Sequence, residues 1–210
     1  FAAVMRIAVR WLFAGTAMPI QGVDGHLYPG ARIESEYDDR CRPNMSFFHS
    51  PRHDQPIVTL RTKFADVVHL TKLGSRQLDA FDLMAYARDI LIGAERIHNY
   101  GGVRFPMVDL DVRPDVGYLL GLWTRTRDEQ RSELVQAVQQ CKLQMNHLGA
   151  VATDAFAAAA TLECVMVPKP DMEIDDDFLF VLERPGLQQP VFVAVVRPDS
   201  WKDPGELNLG

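Results

Sequence analysis

Apolar and polar residues alternate over several stretches of this chain. A two-residue period predicts β-strands, because successive side chains of a strand point to opposite faces of a sheet. The first alternating stretch is 7–13, the second is 57–64 followed by a short apolar piece at 67–70, and a third ends at Met145. We predict a strand in each of them.

Two segments near the C-terminus are apolar at nearly every position. They cover 178–182 and 191–196 and are separated by a polar stretch that contains Pro185 and Gly186. Short, continuously apolar runs are typical of buried strands, so we predict an antiparallel pair in the core. Residues 103–110 form a further predicted strand, with Pro106 in a position typical of an edge strand.

Helical spacing is clearest over 83–97, where one face carries an apolar set that ends before a glycine pair. That set comprises Met84, Ala87, Leu91 and Ala94. We also predict a short helix over 116–122 and a polar helix over 127–136. Residues 21–52 are rich in Gly, Pro, Asp and Ser, which indicates loops around short strands.

The sequence at 150–161, AVATDAFAAAAT, follows the strand that ends at Met145 and precedes an acidic segment broken by prolines. Alanine favours helix, so a short helix or an ordinary loop is one interpretation. The flanking strands favour another, in which this stretch is extended, is exposed, and is able to enter a sheet later. Both interpretations are consistent with these residues alone.

Composition narrows the class of protein. The chain has 210 residues, of which 47% are hydrophobic and 24% charged, with a net charge of −6 and a pI near 5.5. These values are typical of a globular protein with one domain or two small ones, and they argue against a nucleic-acid-binding surface. Arg6 and Arg10 interrupt the apolar N-terminal stretch, so we predict no membrane span there.

Candidate chemistry is sparse. The cysteines, Cys41, Cys141 and Cys164, are too few and too widely spaced for a disulfide framework. Pro51 excludes a helix that would join His49 to His53, so we expect both histidines in a loop.

Other polar residues also lack a pattern that indicates catalysis. His69 and His147 have no evident partner in the sequence, and we interpret the acidic run at 171–177 as a solvated face. No nucleophile elbow, phosphate loop or dinucleotide fingerprint occurs, so we expect no enzyme, no cofactor and no metal site. One sequon, Asn44-Met45-Ser46, marks Asn44 as a candidate glycosylation site.

In their order and spacing, four segments resemble the C-terminal half of a serpin. Residues 8–20 resemble the family's strand and turn that carry a Phe-x-Gly-x-Trp-x-x-Pro motif, and they retain Phe13, Gly15 and Pro19. The other three segments are 103–121, 134–154 and 178–198, which resemble a strand with a short helix, the strand before the loop hinge, and the closing hairpin.

The chain also departs from the family at several positions. It lacks the tryptophan expected near Ala17, and Asp177 stands where the family has a proline before its closing Phe-Leu-Phe strand. The family's hinge glutamate and glycine align with the Ala150-Val151-Ala152 stretch.

The resemblance implies an α+β fold of mixed sheets. In it, residues 1–210 form the C-terminal part of one serpin-like domain, and 150–170 form an exposed or inserted reactive-centre loop. The N-terminal half of the fold is then absent from this chain and is expected as a partner. The resemblance also makes 78–85 a strand paired with 67–70, and we prefer this prediction there to the helical spacing.

The resemblance further implies inhibition of a target serine or cysteine protease. In that family the protease attacks the loop, which then inserts into the main sheet as a new strand. Insertion requires small residues at alternate positions, because every second side chain enters the core. The candidate inward positions are Thr153, Ala155, Ala157, Ala159 and Thr161.

The family's spacing places the reactive bond at Met166-Val167, which suits a chymotrypsin-like or elastase-like pocket, and a second register gives Glu163-Cys164.

A non-inhibitory serpin-fold protein, such as a carrier, a chaperone or an assembly component, is an alternative function. A fragment of an unrelated α/β enzyme is another. The sequon and the family's habits indicate secretion, although intracellular serpins also exist.

Overall fold

The described part of the chain is built mainly from β-strands. The computed structural model describes residues 2–7, 10–38, 41–63, 65–79, 82–113, 115, 117–125, 131–133, 138–148 and 169–207. The elements are β1 (Ala2–Ile7), β2 (Thr16–Gln21), β3 (Leu27–Glu34), β4 (Met45–Ser50), β5 (His53–Arg61), β6 (Val67–Lys72), α1 (Leu83–Asp89), β7 (Glu95–Ile97), β8 (Gly102–Pro106), β9 (Val108–Val112), β10 (Trp123–Arg125), β11 (Arg131–Glu133), β12 (Val138–Met145), β13 (Asp171–Glu173), β14 (Phe178–Glu183) and β15 (Phe192–Val196). Two short 3-10 helices cover Gly117–Leu119 and Pro198–Ser200.

The largest sheet has six strands in the order β15-β14-β6-β5-β4-β7. Its neighbouring strands are antiparallel, and β14 pairs with β15 from Phe178↔Val196 to Leu182↔Phe192. This pairing confirms the antiparallel apolar pair that the sequence predicts. The strands predicted at 57–64 and 67–70 correspond to β5 and β6.

The six-stranded sheet is covered on both faces, which explains why β14 is apolar at successive positions. One face of β14 carries Phe178, Phe180 and Leu182 into the main core, which also includes residues of β3, β8, β9 and β12. The other face carries Leu179 and Val181 into a second apolar cluster beneath α1. Because alternate side chains enter different cores, every position of the strand favours an apolar residue.

Two smaller sheets pack against the main core. A four-stranded sheet has the order β13-β8-β3-β2, and a three-stranded sheet has the order β1-β12-β9. In the three-stranded sheet, β12 is the central strand: it is parallel to β1, from Ala2↔Val138 to Ile7↔Leu143, and antiparallel to β9. Strands β10 and β11 form a separate antiparallel hairpin.

The prediction of a strand over 78–85 is wrong. Residues Leu83–Asp89 form α1, and the two neighbours of β6 are β5 and β14. Since both edges of β6 are already hydrogen-bonded, no edge is free to pair with 78–85. The helical spacing was the better guide, although the helix ends at Asp89, earlier than the predicted 97, and the chain turns through Gly93 at φ +73° into β7.

Four other predictions are corrected. Residues 131–133 are a strand rather than part of a helix over 127–136, and only Gly117–Leu119 of the predicted helix over 116–122 is helical, as a 3-10 turn. The first strand ends at Ile7, and Trp11 makes an isolated bridge to Thr62. Strand 103–110 is divided at Met107 into β8 and β9.

The two histidines expected in a loop also lie elsewhere. His49 belongs to β4 and His53 begins β5, so Pro51 lies in the turn of a β-hairpin. Within the described part of the chain, no helix has the length and apolar character needed to cross a membrane.

Candidate functional site: the two ends of the alanine-rich segment

The residues that the sequence predicts for loop insertion and cleavage lie outside the described residues. They are Thr153, Ala155, Ala157, Ala159, Thr161, Glu163, Cys164, Met166 and Val167. The structure does describe both ends of this connecting segment, 149–168. We call residues 145–148 the upstream anchor and residues 169–175 the downstream anchor.

The upstream anchor is a tight turn at the end of β12. The Asn146 side chain, in a residue that is 5% exposed, accepts a hydrogen bond at Oδ1 from the backbone N–H of Leu148 at 2.9 Å. Its Nδ2 donates to the carbonyl of Gly205 at 3.4 Å. Asn146 therefore fixes the direction in which the chain leaves β12 and joins it to the C-terminal region.

The chain segment after β1 holds the same turn from the other side. The indole Nε1 of Trp11 donates to the carbonyl of Asn146 at 3.0 Å, and the N–H of Gly15 donates to the carbonyl of His147 at 2.6 Å. Trp11 is 2% exposed and packs edge-on against Phe105, with 6.0 Å between ring centroids. These bonds connect the ends of the two parallel strands, β1 and β12.

Sequence reasoning used Trp11 only as an apolar strand position and did not identify this role. The partner of its N–H is a backbone carbonyl, and every amino acid at position 146 would supply the same carbonyl. The only available signal was a tryptophan in a predicted strand, since an indole N–H group that becomes buried usually finds an acceptor.

The downstream anchor returns the chain to the four-stranded sheet. The carbonyl of Pro170 accepts a bond from the N–H of Gly101 at 3.0 Å, and β13 then runs parallel to β8. Gly101 and Gly102 allow this close approach, because a Cβ atom at Gly101 would lie 3.1 Å from the carbonyl oxygen of Lys169 and one at Gly102 would lie 2.7 Å from Oδ1 of Asp171.

Asp171 is the electrostatic centre of the downstream anchor. Its side chain is 4% exposed and accepts bonds from Nε of Arg32 at 2.7 Å and from Nε of Arg104 at 2.9 Å. Burial disfavours the charged carboxylate, but the two guanidinium groups outweigh burial, so the pKa of Asp171 lies below its ordinary value. The carboxylate therefore joins β13 to both β3 and β8.

Three further carboxylates of the acidic run form partly exposed ion pairs, which is compatible with the predicted solvated face. Lys72 binds Asp175 at 2.8 Å, Arg197 binds Asp177 at 3.3 Å, and Arg104 binds Glu173 at 3.1 Å. These carboxylates connect the downstream anchor to neighbouring strands. In the described residues, no group of three or more His, Cys, Asp or Glu side chains is arranged to hold a metal ion.

Asn44, the candidate glycosylation site, lies inside the protein. This residue is 2% exposed, its Oδ1 accepts from the N–H of Glu36 at 2.8 Å, and its Nδ2 donates to the carbonyl of Glu34 at 2.8 Å. These bonds stabilise the loop that precedes β4. A sugar on Nδ2 would require this loop to rearrange, and glycosylation of Asn44 stays a prediction.

Comparisons with known proteins agree with this architecture at the level of the fold. No family model and no curated protein matches the sequence. Solved structures do match, among them Serpin48 of the insect Tenebrio molitor, with TM-score 0.59 and 15% identity over 93% of this chain and 54% of that chain.

Two further similar structures have different roles by name. Mouse protein Z-dependent protease inhibitor matches with TM-score 0.53 and 15% identity over 93% of this chain and 54% of its own. Human thyroxine-binding globulin, solved with thyroxine, matches with TM-score 0.55 and 13% identity over 90% and 53%.

The chain therefore has the serpin fold, and it corresponds to the C-terminal portion of that fold. This confirms the α+β class and the resemblance that the sequence indicates. The chain spans about half the length of the solved structures it matches.

Proposed function

We propose that the protein to which this chain belongs is a serpin-type protease inhibitor, in which a protease cleaves the connecting segment and the segment then inserts between β1 and β12. One observation carries this proposal. The two strands lie side by side in parallel, and the alanine-rich segment begins just beyond the end of β12.

The direction of the strands explains why insertion is favourable. A chain that leaves the end of β12 and folds back between β12 and β1 is antiparallel to both strands. Insertion therefore replaces one parallel interface with two antiparallel ones, and antiparallel pairing is the slightly more stable of the two. The inserted segment also pairs its own backbone N–H and C=O groups, which adds a full row of hydrogen bonds.

The side chains of the segment are compatible with a strand buried on one face. With Thr153 facing inward, the other inward positions are Ala155, Ala157, Ala159 and Thr161. The bulky Phe156 then faces outward, whereas a shift by one residue would bury it together with Asp154. This alternation supports one register of insertion.

The anchors explain why cleavage must come first. While the chain is intact, the connecting segment is held by the Trp11 bond at the upstream anchor and by the Arg32–Asp171–Arg104 cluster at the downstream anchor. A cut at Met166-Val167 separates the segment from the downstream anchor, so that insertion no longer has to detach β13. The alternative bond, Glu163-Cys164, would have the same consequence.

In this proposal a serine or cysteine protease attacks the connecting segment as it would a substrate, and the chain has no catalytic activity of its own. Methionine at the cleaved bond indicates a protease of chymotrypsin-like or elastase-like specificity. Protein Z-dependent protease inhibitor, an inhibitor by name, is among the similar folds and supports the proposal. We further propose that the whole protein is secreted and that its remaining N-terminal half completes the sheets.

A non-inhibitory carrier is the second candidate. Thyroxine-binding globulin has a similar fold, and Ala150, Val151 and Ala152 replace acidic and glycine residues of the family's hinge. Glycine gives a pivot more rotational freedom than alanine does, so this hinge favours slower insertion. Slow insertion would let the protease complete hydrolysis and escape.

A gel distinguishes the two candidates. The full-length protein is incubated separately with chymotrypsin and with pancreatic elastase and then denatured in SDS. For an inhibitor we expect a band at the summed mass of protease and protein, because the acyl bond is trapped. A cleaved protein with no such band, at every protease ratio and incubation time, would support the non-inhibitory candidate.

A further inference from the structure

A buried polar cluster lies between the six-stranded sheet and α1, far along the chain from the connecting segment. His53 is 4% exposed at the start of β5, and its Nε2 is 2.8 Å from Oγ1 of Thr71 in β6. Its Nδ1 is 2.8 Å from the hydroxyl oxygen of Tyr86 in α1. One imidazole ring therefore contacts two strands and the helix.

The hydrogen bonds identify which ring nitrogen carries the proton. The Thr71 hydroxyl donates its single hydrogen to the carbonyl of Pro56 at 2.9 Å, so toward His53 its oxygen can only accept. Nε2 of His53 therefore donates, and Nδ1 of the neutral ring accepts the hydrogen of the Tyr86 hydroxyl. With His53 neutral, each of these hydrogen bonds has one donor and one acceptor, and Tyr86 keeps an acceptor for its hydroxyl hydrogen.

The surroundings of His53 oppose a positive charge. Burial is the main cause that lowers its pKa below the ordinary value, and the guanidinium of Arg76 acts in the same direction. The backbone of Lys72 and the carboxylate of Asp54 act against these effects but do not outweigh them.

Two other charged contacts lie at the same helix. Arg76 lies over the Tyr86 ring at 5.0 Å. Arg52 of the hairpin turn binds Asp89 of α1 at 3.4 Å, in an exposed pair that does not involve the histidine.

We propose that His53 is an acid-sensitive latch for α1: the neutral ring holds the helix on the six-stranded sheet, and protonation releases it. A second proton would occupy Nδ1 and meet the Tyr86 hydroxyl, which has to turn its own hydrogen away. The new charge would also be buried near Arg76. This latch is independent of the proposed function.

The helix is well suited to release. It has seven residues and no side-chain hydrogen bond at its N-cap, and isolated helices of this length are not stable in water. Its attachment depends on the buried Ala87 and the adjoining Ile90, which pack over Leu179 and Val181, together with the Tyr86 bond. Acid release would therefore expose an apolar patch on the outer face of β14.

Hydrogen exchange of the full-length protein tests the latch. Protection of the α1 amides is measured at about pH 7.5 and about pH 5.5, on either side of the ordinary histidine pKa, and corrected for the intrinsic pH dependence of exchange. We expect α1 to lose protection at the lower pH while β14 retains it. Unchanged protection of α1 would overturn the proposal.

Variants assign the effect to this residue. His53→Gln keeps a donor toward Thr71 but does not titrate, so we expect the pH-dependent loss of protection to disappear in this variant. His49 is an exposed histidine on the adjoining strand, and the control variant His49→Gln should behave as the wild type. A loss that persists in His53→Gln would contradict the latch. Tyr86→Phe provides a second test that does not alter the histidine. It removes the donor to the neutral ring, so α1 should already be less protected at about pH 7.5 and should lose less further protection on acidification.

Discussion

Trp11 and Asn146 are joined by a hydrogen bond of 3.0 Å from the indole N–H to the backbone carbonyl, across a separation of 135 positions in the sequence. The bond ties the chain that follows β1 to the turn that follows β12. Under the proposed function these are the two strands that must separate, so the bond opposes the first step of insertion.

Replacing Trp11 with Phe keeps an aromatic ring and removes the N–H. Beyond the cost of the smaller ring, we expect a loss of about 1 kcal/mol in the free energy of unfolding, the usual net value of one buried hydrogen bond. We also expect faster formation of the SDS-stable complex with protease. Urea unfolding and the time course of the complex measure the two effects.

Trp201→Phe is the matched control. Trp201 is also 2% exposed, and its Nε1 has no hydrogen-bond partner in the described part of the chain, so the same substitution removes ring volume without removing such a bond. Equal effects of the two substitutions on complex formation would contradict a role for the Trp11 bond.

Neighbouring alanines of the connecting segment test the register of insertion. Ala157→Glu places a carboxylate on the side that faces the core after insertion, whereas Ala158→Glu places it on the opposite side. Burial of an unpaired charge costs several kcal/mol, so we expect Ala157→Glu to reduce the yield of trapped protease by about tenfold or more. Ala158→Glu should inhibit like the wild type, and the reverse result would favour the register shifted by one residue.

Mapping the cut identifies the reactive bond. Mass spectrometry of the protein after brief exposure to chymotrypsin should give a C-terminal fragment that begins at Val167. A parallel digestion with a glutamate-specific protease, which has a basic specificity pocket, tests the alternative. A fragment that begins at Cys164 and forms only with that protease would assign the bond to Glu163-Cys164.

Asp171→Asn tests the downstream anchor. Two guanidinium groups lose their charged partner, and we expect the free energy of unfolding at pH 7 to fall by about 2 kcal/mol. Glu206→Gln, an exposed carboxylate near the C-terminus, is the control and should change stability little.

The pH dependence of this loss has a definite sign. The pKa of Asp171 is lower in the folded protein than its ordinary value of 3.8, so its stabilisation is complete above that pH and is lost as the pH falls through the folded-state pKa. Urea unfolding at a series of pH values should show wild type and variant converging below about pH 3.8. A difference that stays constant into that range would contradict the ionic role of Asp171.

The pattern of apolar and polar residues predicted those strands in which buried positions either alternate with exposed ones or are continuous. The antiparallel pair β14 and β15 and the strand that ends at Met145 follow from the alternation or continuity of apolar residues alone. The family resemblance added their order, and it was wrong at 78–85, where β6 already has two hydrogen-bonded neighbours.

These patterns did not predict contacts between residues that are far apart in the sequence. His69 lacks a partner in its own sequence neighbourhood, yet in the sheet its Nδ1 lies 2.8 Å from Thr59 and its Nε2 lies 3.2 Å from Glu183. The interaction with His69 also lowers the pKa of Glu183 below its ordinary value. Such pairings depend on strand register, which a single sequence does not disclose.

The thermal unfolding of the full-length protein before and after cleavage of the connecting segment tests insertion most directly. If the cut segment enters the sheet between β1 and β12, the cleaved protein gains a row of backbone hydrogen bonds and must unfold at a sharply higher temperature than the intact protein. An unfolding temperature that is unchanged or lower after cleavage would contradict insertion.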